Sequence, residues 1–226
     1  MSSLNKVIVF GAHGKIGQHL IKLFAQKASP YTATAVIRNE EQAKRIAEIS
    51  QNSSNITTTS LSLSDATAEE LSKAIEGHDV VVFTAGSGGK NVIQVDLDGA
   101  VKTFEASVLA KTRRYVLISA LNADKRNVFS QTAIRDYYIA KHYADRILAD
   151  EYSDSLDYTI LQPGALLDSE ATGKIHVFPK SDKGETGAIP RADVADVIYQ
   201  TIGKKSTYGK TIGFVGGDND ISSALE

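Results

Sequence analysis

Lys6-Val7-Ile8-Val9-Phe10-Gly11-Ala12-His13-Gly14-Lys15-Ile16-Gly17 is the stretch that decides the fold. An apolar run feeds straight into three glycines, at 11, 14 and 17. A helical pattern then begins within that spacing, carried by Ile16, Leu20, Leu23 and Phe24. Continuous apolarity from Val7 to Phe10 is how a strand buried on both faces reads. Glycine permits a tight turn and a close backbone approach. A helix start offers unpaired N–H groups and the positive end of its dipole. Strand, glycine loop and helix in this order suit a dinucleotide pyrophosphate. With 17 glycines in 226 residues, independent placement yields such spacing about once in ten chains. The flanking strand and helix therefore carry the reading; the alternative is an ordinary glycine turn in an α/β fold.

Outward from this loop, strand and helix patterns alternate. Strands are predicted over Thr32 to Ile37, Asn55 to Leu61, Asp79 to Thr84, Arg114 to Ile118, Asp157 to Gln162 and Thr211 to Val215. Helices are predicted over Glu40 to Gln51, Thr67 to Ile75, Asn91 to Ala110, Ile134 to Asp150 and Arg191 to Gly203. Thr67 is placed to cap its helix with Glu70 in the capping-box position. Repeated βα units predict an α/β, doubly wound Rossmann fold: a mostly parallel sheet with helices on both faces, as one domain over 1–226. The least regular stretch, 163–190, reads as a substrate-side insertion. In such a sheet the ligand crevice lies at the carboxyl ends of the strands. Gly11, Arg38, Asp65, Gly86, Ser119 and Pro163 all follow strands and are expected along that one edge.

Composition narrows the function classes. A net charge of −2 gives no electrostatic case for nucleic acid or an anionic membrane. The absence of cysteine removes disulfides, thiol catalysis and thiolate metal sites. The five histidines lack ligand spacing; His142, Asp145 and Asp136 cluster near Tyr137 without suggesting a metal. The opening segment, Met1 to Lys6, does not read as a signal peptide, and no apolar run matches a membrane span. A cytoplasmic monomer or weak dimer acting on a small molecule is the expectation. Asp218 to Asp220 reads as a solvated tail rather than a calcium loop.

Arg38 is the first polar residue after the second strand, where an acid would read the ribose 2′-OH of NAD. A basic side chain there accommodates the 2′-phosphate of NADP, so NADP(H) is the expected cofactor; the alternative is a solvated Arg opening the next helix. His13 or Lys15, inside the loop, is placed to help hold a phosphate. Tyr137 and Lys141 are four apart and share a helix face. With nine Tyr in the chain, that spacing alone is unremarkable. The pair would serve a Tyr acid whose phenol pKa is lowered by a neighbouring ammonium, or would simply pack or contact cofactor.

Several motifs in order now carry a resemblance. They are Gly11-x-x-Gly14-x-x-Gly17, Ile37-Arg38-Asn39, Asp79 to Gly86, Val95-Asp96-Leu97-Asp98-Gly99, Tyr115 to Ser119, Tyr137-x-x-x-Lys141, Asp157 to Gly164 and Ile189 to Val194. The chain resembles the atypical short-chain dehydrogenases/reductases, in the small NAD(P)H-binding, NmrA-like subgroup related to extended epimerases. The resemblance implies NADP(H) across the strand ends. Its contacts would come from the glycine loop with Ile16, from Arg38, Asn39, Leu63, Asp65, Thr84, Ala85, Gly86 and Lys141, and from Pro163 and Gly164 beside the nicotinamide. It implies Tyr137, Lys141, Asp96 and Ser119 as the catalytic set. Ala120 stands where the family's carbonyl-orienting Ser follows the fifth strand, Asp96 where main-line members have Asn, Ser62 where an Asp often reads adenine, and Gln162 where Arg is frequent. The expected activity is NADPH-dependent reduction of a small carbonyl, quinone, flavin or tetrapyrrole-like acceptor. A non-catalytic NADP(H) sensor is the alternative. An epimerase or dehydratase ranks third, because the region after Pro163 is short for a substrate lobe.

Overall fold

The alternation of buried side chains along the first strand sets the layering. Val7 and Val9 face one helix layer and pack with Leu20, Phe24, Val194 and Ile198. Ile8 and Phe10 face the other and pack with Leu71, Phe104 and Leu148. A strand with both faces covered is buried throughout, which is why its sequence shows no polar alternation. The computed structural model describes residues 5–130, 132–179 and 184–226. Residues 1–4 of the opening segment and 180–183 of the expected insertion thus lie outside the described residues.

In chain order the elements are β1 (Lys6–Phe10), α1 (Lys15–Phe24), β2 (Thr32–Ile37), α2 (Glu40–Ile49), β3 (Ile56–Ser60), α3 (Ala68–Ile75) and β4 (Val80–Phe83). A π-helical turn, Val92–Leu97, then leads into α4 (Asp98–Leu109) and β5 (Arg114–Ile118). There follow α5 (Arg126–Phe129), α6 (Arg135–Glu151), β6 (Asp157–Pro163), β7 (Ala165–Leu167), β8 (Lys174–Val177), β9 (Ala188–Pro190) and α7 (Arg191–Thr201). The chain closes with β10 (Lys210–Gly216), β11 (Asn219–Asp220) and α8 (Ile221–Ala224).

The main sheet runs β3-β2-β1-β4-β5-β6-β10-β8-β11. It is parallel from β3 through β10, and β8 and β11 continue it as an antiparallel edge. Strand order reverses between β1 and β4, the switch point at which such sheets place their ligand. The doubly wound expectation holds, and α3 carries the capping box: Glu70 N donates to Thr67 Oγ1 and Thr67 N donates to Glu70 Oε2.

Three expectations are corrected. The helix over 91–110 is not uniform. Its first part is the π-helical turn, which turns Asp96 inward so that its Oδ2 accepts the Ser87 N–H at 3.0 Å. The irregular stretch 163–190 contains three short strands, with β7 and β9 pairing in parallel as a separate ladder. Strands of three or four residues are too brief to display a period. Asp218 to Asp220 is no free tail: Asn219 and Asp220 pair with β8, and Ile221 and Leu225 are buried behind them.

At the opposite end of the sheet from the strand carboxyl ends, Arg114 opens β5 and is 2% exposed. Its Nη2 and Nε donate to Thr201 O and Ile202 O at 2.8 and 2.9 Å, at the C-terminus of α7. Its Nη1 donates to Asp157 O and Thr159 Oγ1, and Nη2 also to Thr207 Oγ1. The Tyr208 ring covers the guanidinium at 4.3 Å. Burial lowers its pKa to about 10.

Candidate functional site

The glycine loop is built so that side chains cannot fill it. Gly11 has φ +86° and a Cβ there would collide with the Ala85 backbone nitrogen. A Cβ on Gly17 would collide with the Gly11 carbonyl, so Gly17 lets α1 pack down on the loop. Gly14 is the N-cap of α1 and supplies no side-chain cap, leaving the first helical N–H groups for an outside acceptor.

A cavity of about 750 Å³ opens over this loop. Of the expected cofactor residues, Gly11, His13, Gly14, Lys15, Ile16, Arg38, Leu63, Thr84, Ala85 and Gly86 line it, together with Asp96 and Tyr137. Gly17 sits beneath the loop. Asp65 borders an adjoining depression with Ser62. Asn39 is outside the wall; its side chain accepts the Gln42 N–H at 3.0 Å as the N-cap of α2. Pro163, Gly164 and Ser119 line a second cavity of about 720 Å³, which extends under the stacked rings of Phe129 and Tyr138. Tyr137, Leu166 and Arg191 belong to both walls.

Between the two cavities lies a buried polar cluster. Asp96 Oδ1 and Asp145 Oδ1 are buried without a hydrogen-bond partner among the described residues. Asp145 Oδ2 accepts from Ser119 Oγ at 2.7 Å and from Gln162 Nε2 at 2.9 Å. Burial raises the Asp145 carboxyl to about 7, against the two hydrogen bonds and Lys141, which oppose the shift. Lys141 donates to Ile118 O at 2.9 Å and lies 5.7 Å from the centre of the Tyr137 ring. Burial lowers its pKa, and Asp96 and Asp145 counter that.

The expected lowering of the Tyr137 phenol is corrected. Burial, then the Asp96 carboxylate, pushes it up, while the Lys141 amine donates to the Ile118 carbonyl. The phenol is held protonated, the form in which it can donate a proton.

Sequence reasoning weighed Asp145 only against a metal cluster and gave Gln162 no role beyond replacing Arg. It attached none to Arg191 beyond its motif. One signal was available: Asp145 is four residues beyond Lys141, on the same helix face. The glycine cradle, the uncapped α1 and the cationic and amide donors around it fit a dinucleotide.

Residues 11–205 match the NAD(P)H-binding family. A Bacillus subtilis protein named as an uncharacterised sugar epimerase, YhfK, is 36% identical over 98% of this chain and 99% of its own. A Saccharomyces cerevisiae protein of the UPF0659 group is 35% identical over 98% of this chain and 97% of its own. Among solved structures, the Lactococcus lactis oxidoreductase YlbE is 33% identical, with a TM-score of 0.85 over 97% of this chain and 94% of its own.

Proposed function

The chain belongs to the NAD(P)H-binding family, among the atypical short-chain dehydrogenases/reductases, and on that premise we propose that it is an NADPH-dependent reductase of a planar, largely apolar acceptor such as a quinone, flavin or tetrapyrrole-like molecule. One observation carries this reading: Tyr137 stands in the wall shared by the glycine-loop cavity and a second, mostly apolar cavity of about 720 Å³. A donor and an acceptor seated in the two would meet at its phenol.

The cofactor would supply hydride. The residues do the rest. Gly11, Gly14 and the start of α1 would hold the pyrophosphate, and Arg38 would hold the 2′-phosphate. Leu121, Phe129, Tyr138 and Leu166 exclude water from the acceptor. Tyr137 gives one proton to the reduced acceptor and regains it from solvent. With hydride from the cofactor and this proton, the acceptor would take up two electrons and two hydrogens in all (one hydride, one proton), leaving the oxidised cofactor. Asp96 is positioned by the Ser87 N–H beside Gly86, in the wall of the same cavity.

Two other readings each have an observation behind them. Ser119 donates to Asp145 and Ala120 carries no hydroxyl, which suits a protein that binds NADP(H) as a sensor without turnover. The name of the Bacillus subtilis relative suits an epimerase. One experiment separates them: NADPH is mixed with the protein and a panel of quinones, flavins, biliverdin and aldehydes while nicotinamide absorbance is followed. Steady NADPH consumption with at least one acceptor, reduced about 100-fold or more in Tyr137→Phe, is the expected result. Tight, unequal binding of NADP+ and NADPH without consumption favours the sensor. Interconversion of sugar epimers with no net cofactor change favours the epimerase.

A further inference from the structure

Asp168 directly follows β7 and Arg191 directly follows β9, so the small β7–β9 ladder carries both. Asp168 Oδ1 accepts from Arg191 Nη1 at 2.5 Å, and its Oδ2 accepts from Lys15 Nζ at 2.6 Å. Lys15 is the first residue of α1, beside the uncapped Gly14. Lys15 and Arg191 both line the glycine-loop cavity. Asp168 does not line it, and its side chain is 62% exposed. His19 lies near this group, and burial lowers its pKa. Two cations therefore converge beside a helix N-terminus and share one carboxylate, which leaves one positive charge unbalanced.

We propose that Lys15 and Arg191 together clamp the cofactor's pyrophosphate, and that Asp168 is a built-in competitor for the same two cations. This rests on the reading of the cavity as an NADP(H) site. A pyrophosphate brings two negative charges and several acceptor oxygens, so it can take both cations at once, Arg191 in bidentate fashion. The Lys15–Asp168 pair is exposed on both sides, and in the Arg191–Asp168 pair the carboxylate is the exposed partner. Pairs open to solvent in this way are weak and salt-screened, so Asp168 can give way to an incoming anion. The β7–β9 ladder is thereby coupled to the phosphate end of the site through Arg191, which also borders the second cavity.

The test measures dissociation constants of NADPH, ADP-ribose (pyrophosphate without 2′-phosphate) and 2′-AMP (2′-phosphate without pyrophosphate). Wild type is compared with Asp168→Asn and Arg191→Gln. Asp168→Asn is expected to tighten NADPH and ADP-ribose about three- to tenfold at low salt, with the gain fading near 1 M salt. It is expected to leave 2′-AMP unchanged. Arg191→Gln is expected to weaken NADPH and ADP-ribose about tenfold or more and to spare 2′-AMP. Unchanged or weaker NADPH binding in Asp168→Asn, an equal gain for 2′-AMP, or unaltered NADPH binding in Arg191→Gln overturns the clamp while leaving the cofactor reading in place. Failure of wild type to bind NADPH, NADH or ADP-ribose at all overturns both.

Discussion

Arg38 directly follows β2 in the wall of the glycine-loop cavity, and no carboxylate occupies that position. A charge-assisted bond to a phosphate is worth about 1.5–3 kcal/mol. Arg38→Ala is therefore expected to lower the preference for NADPH over NADH by about 10- to 100-fold, measured as the ratio of the two dissociation constants. A ratio that stays put removes Arg38 from cofactor selection. The place of Arg38 in the cavity wall was legible because it depends only on following a strand. Asp145 was not, because its partners Ser119 and Gln162 are 26 and 17 residues away and only the assembled sheet brings them together. Its carboxyl is raised from an ordinary 3.8 to about 7 by burial. The folded protein thus holds this proton more firmly than the unfolded chain does. The associated stability is intact below about pH 4 and is lost as pH rises towards about 7, by up to about 1.4 kcal/mol per unit. Asp145→Asn keeps an acceptor for both partners and carries no charge. Its melting temperature relative to wild type is expected to climb between pH 5 and pH 8. A difference that is flat with pH refutes the assignment.

At the scale of elements, legibility followed the reach of the signal. The α3 capping box spans four residues and could be read directly: Thr67 and Glu70 exchange two bonds. Thr67→Ala is expected to cost about 1 kcal/mol and to lower the melting temperature by about 2–4 °C, checked by calorimetry; no change would mean that the helix start is held by packing alone. The π-helical turn before α4 could not be read. Its extra residue per turn is favoured by Asp96 meeting Ser87 N–H across a loop, and side-chain periodicity carries no trace of such a bond. Single-turn π segments recur at functional sites, and this one sets Asp96 at the seam between the cavities. β7, β8 and β9 escaped for another reason. Each is held by its neighbour strand rather than by its own pattern. β7 and β9 also build the ladder that carries Asp168 and Arg191, so the least legible part of the chain holds one arm of the inferred clamp and its competitor, while Lys15 comes from the glycine loop.

For the whole molecule, the parallel core was legible because its central strands, β1 and β4, are continuous apolar runs and strand-like segments alternate with helical patterns on either side of them, down to the Thr-rich β3. The antiparallel edge was not, because β11 is two polar residues paired with β8. The far end of the sheet depends on Arg114, whose five donated bonds reach β6, the end of α7 and the turn at Thr207. Arg114→Met would leave the α7 carbonyls without that donor in a dry environment. A loss of about 3 kcal/mol is expected in denaturant titration; a loss under about 1 kcal/mol would show that water or neighbours replace it. The same side chain has a consequence in time. Its partners lie 43 to 93 residues further along the chain, and contacts closed over such spans tend to form late. A bond made after the folding barrier slows escape without hastening arrival. Arg114→Met is then expected to fold at nearly the wild-type rate and to unfold about 100-fold faster, as the two limbs of a stopped-flow chevron would record. In that sense Arg114 sets how long the fold lasts rather than how quickly it is reached.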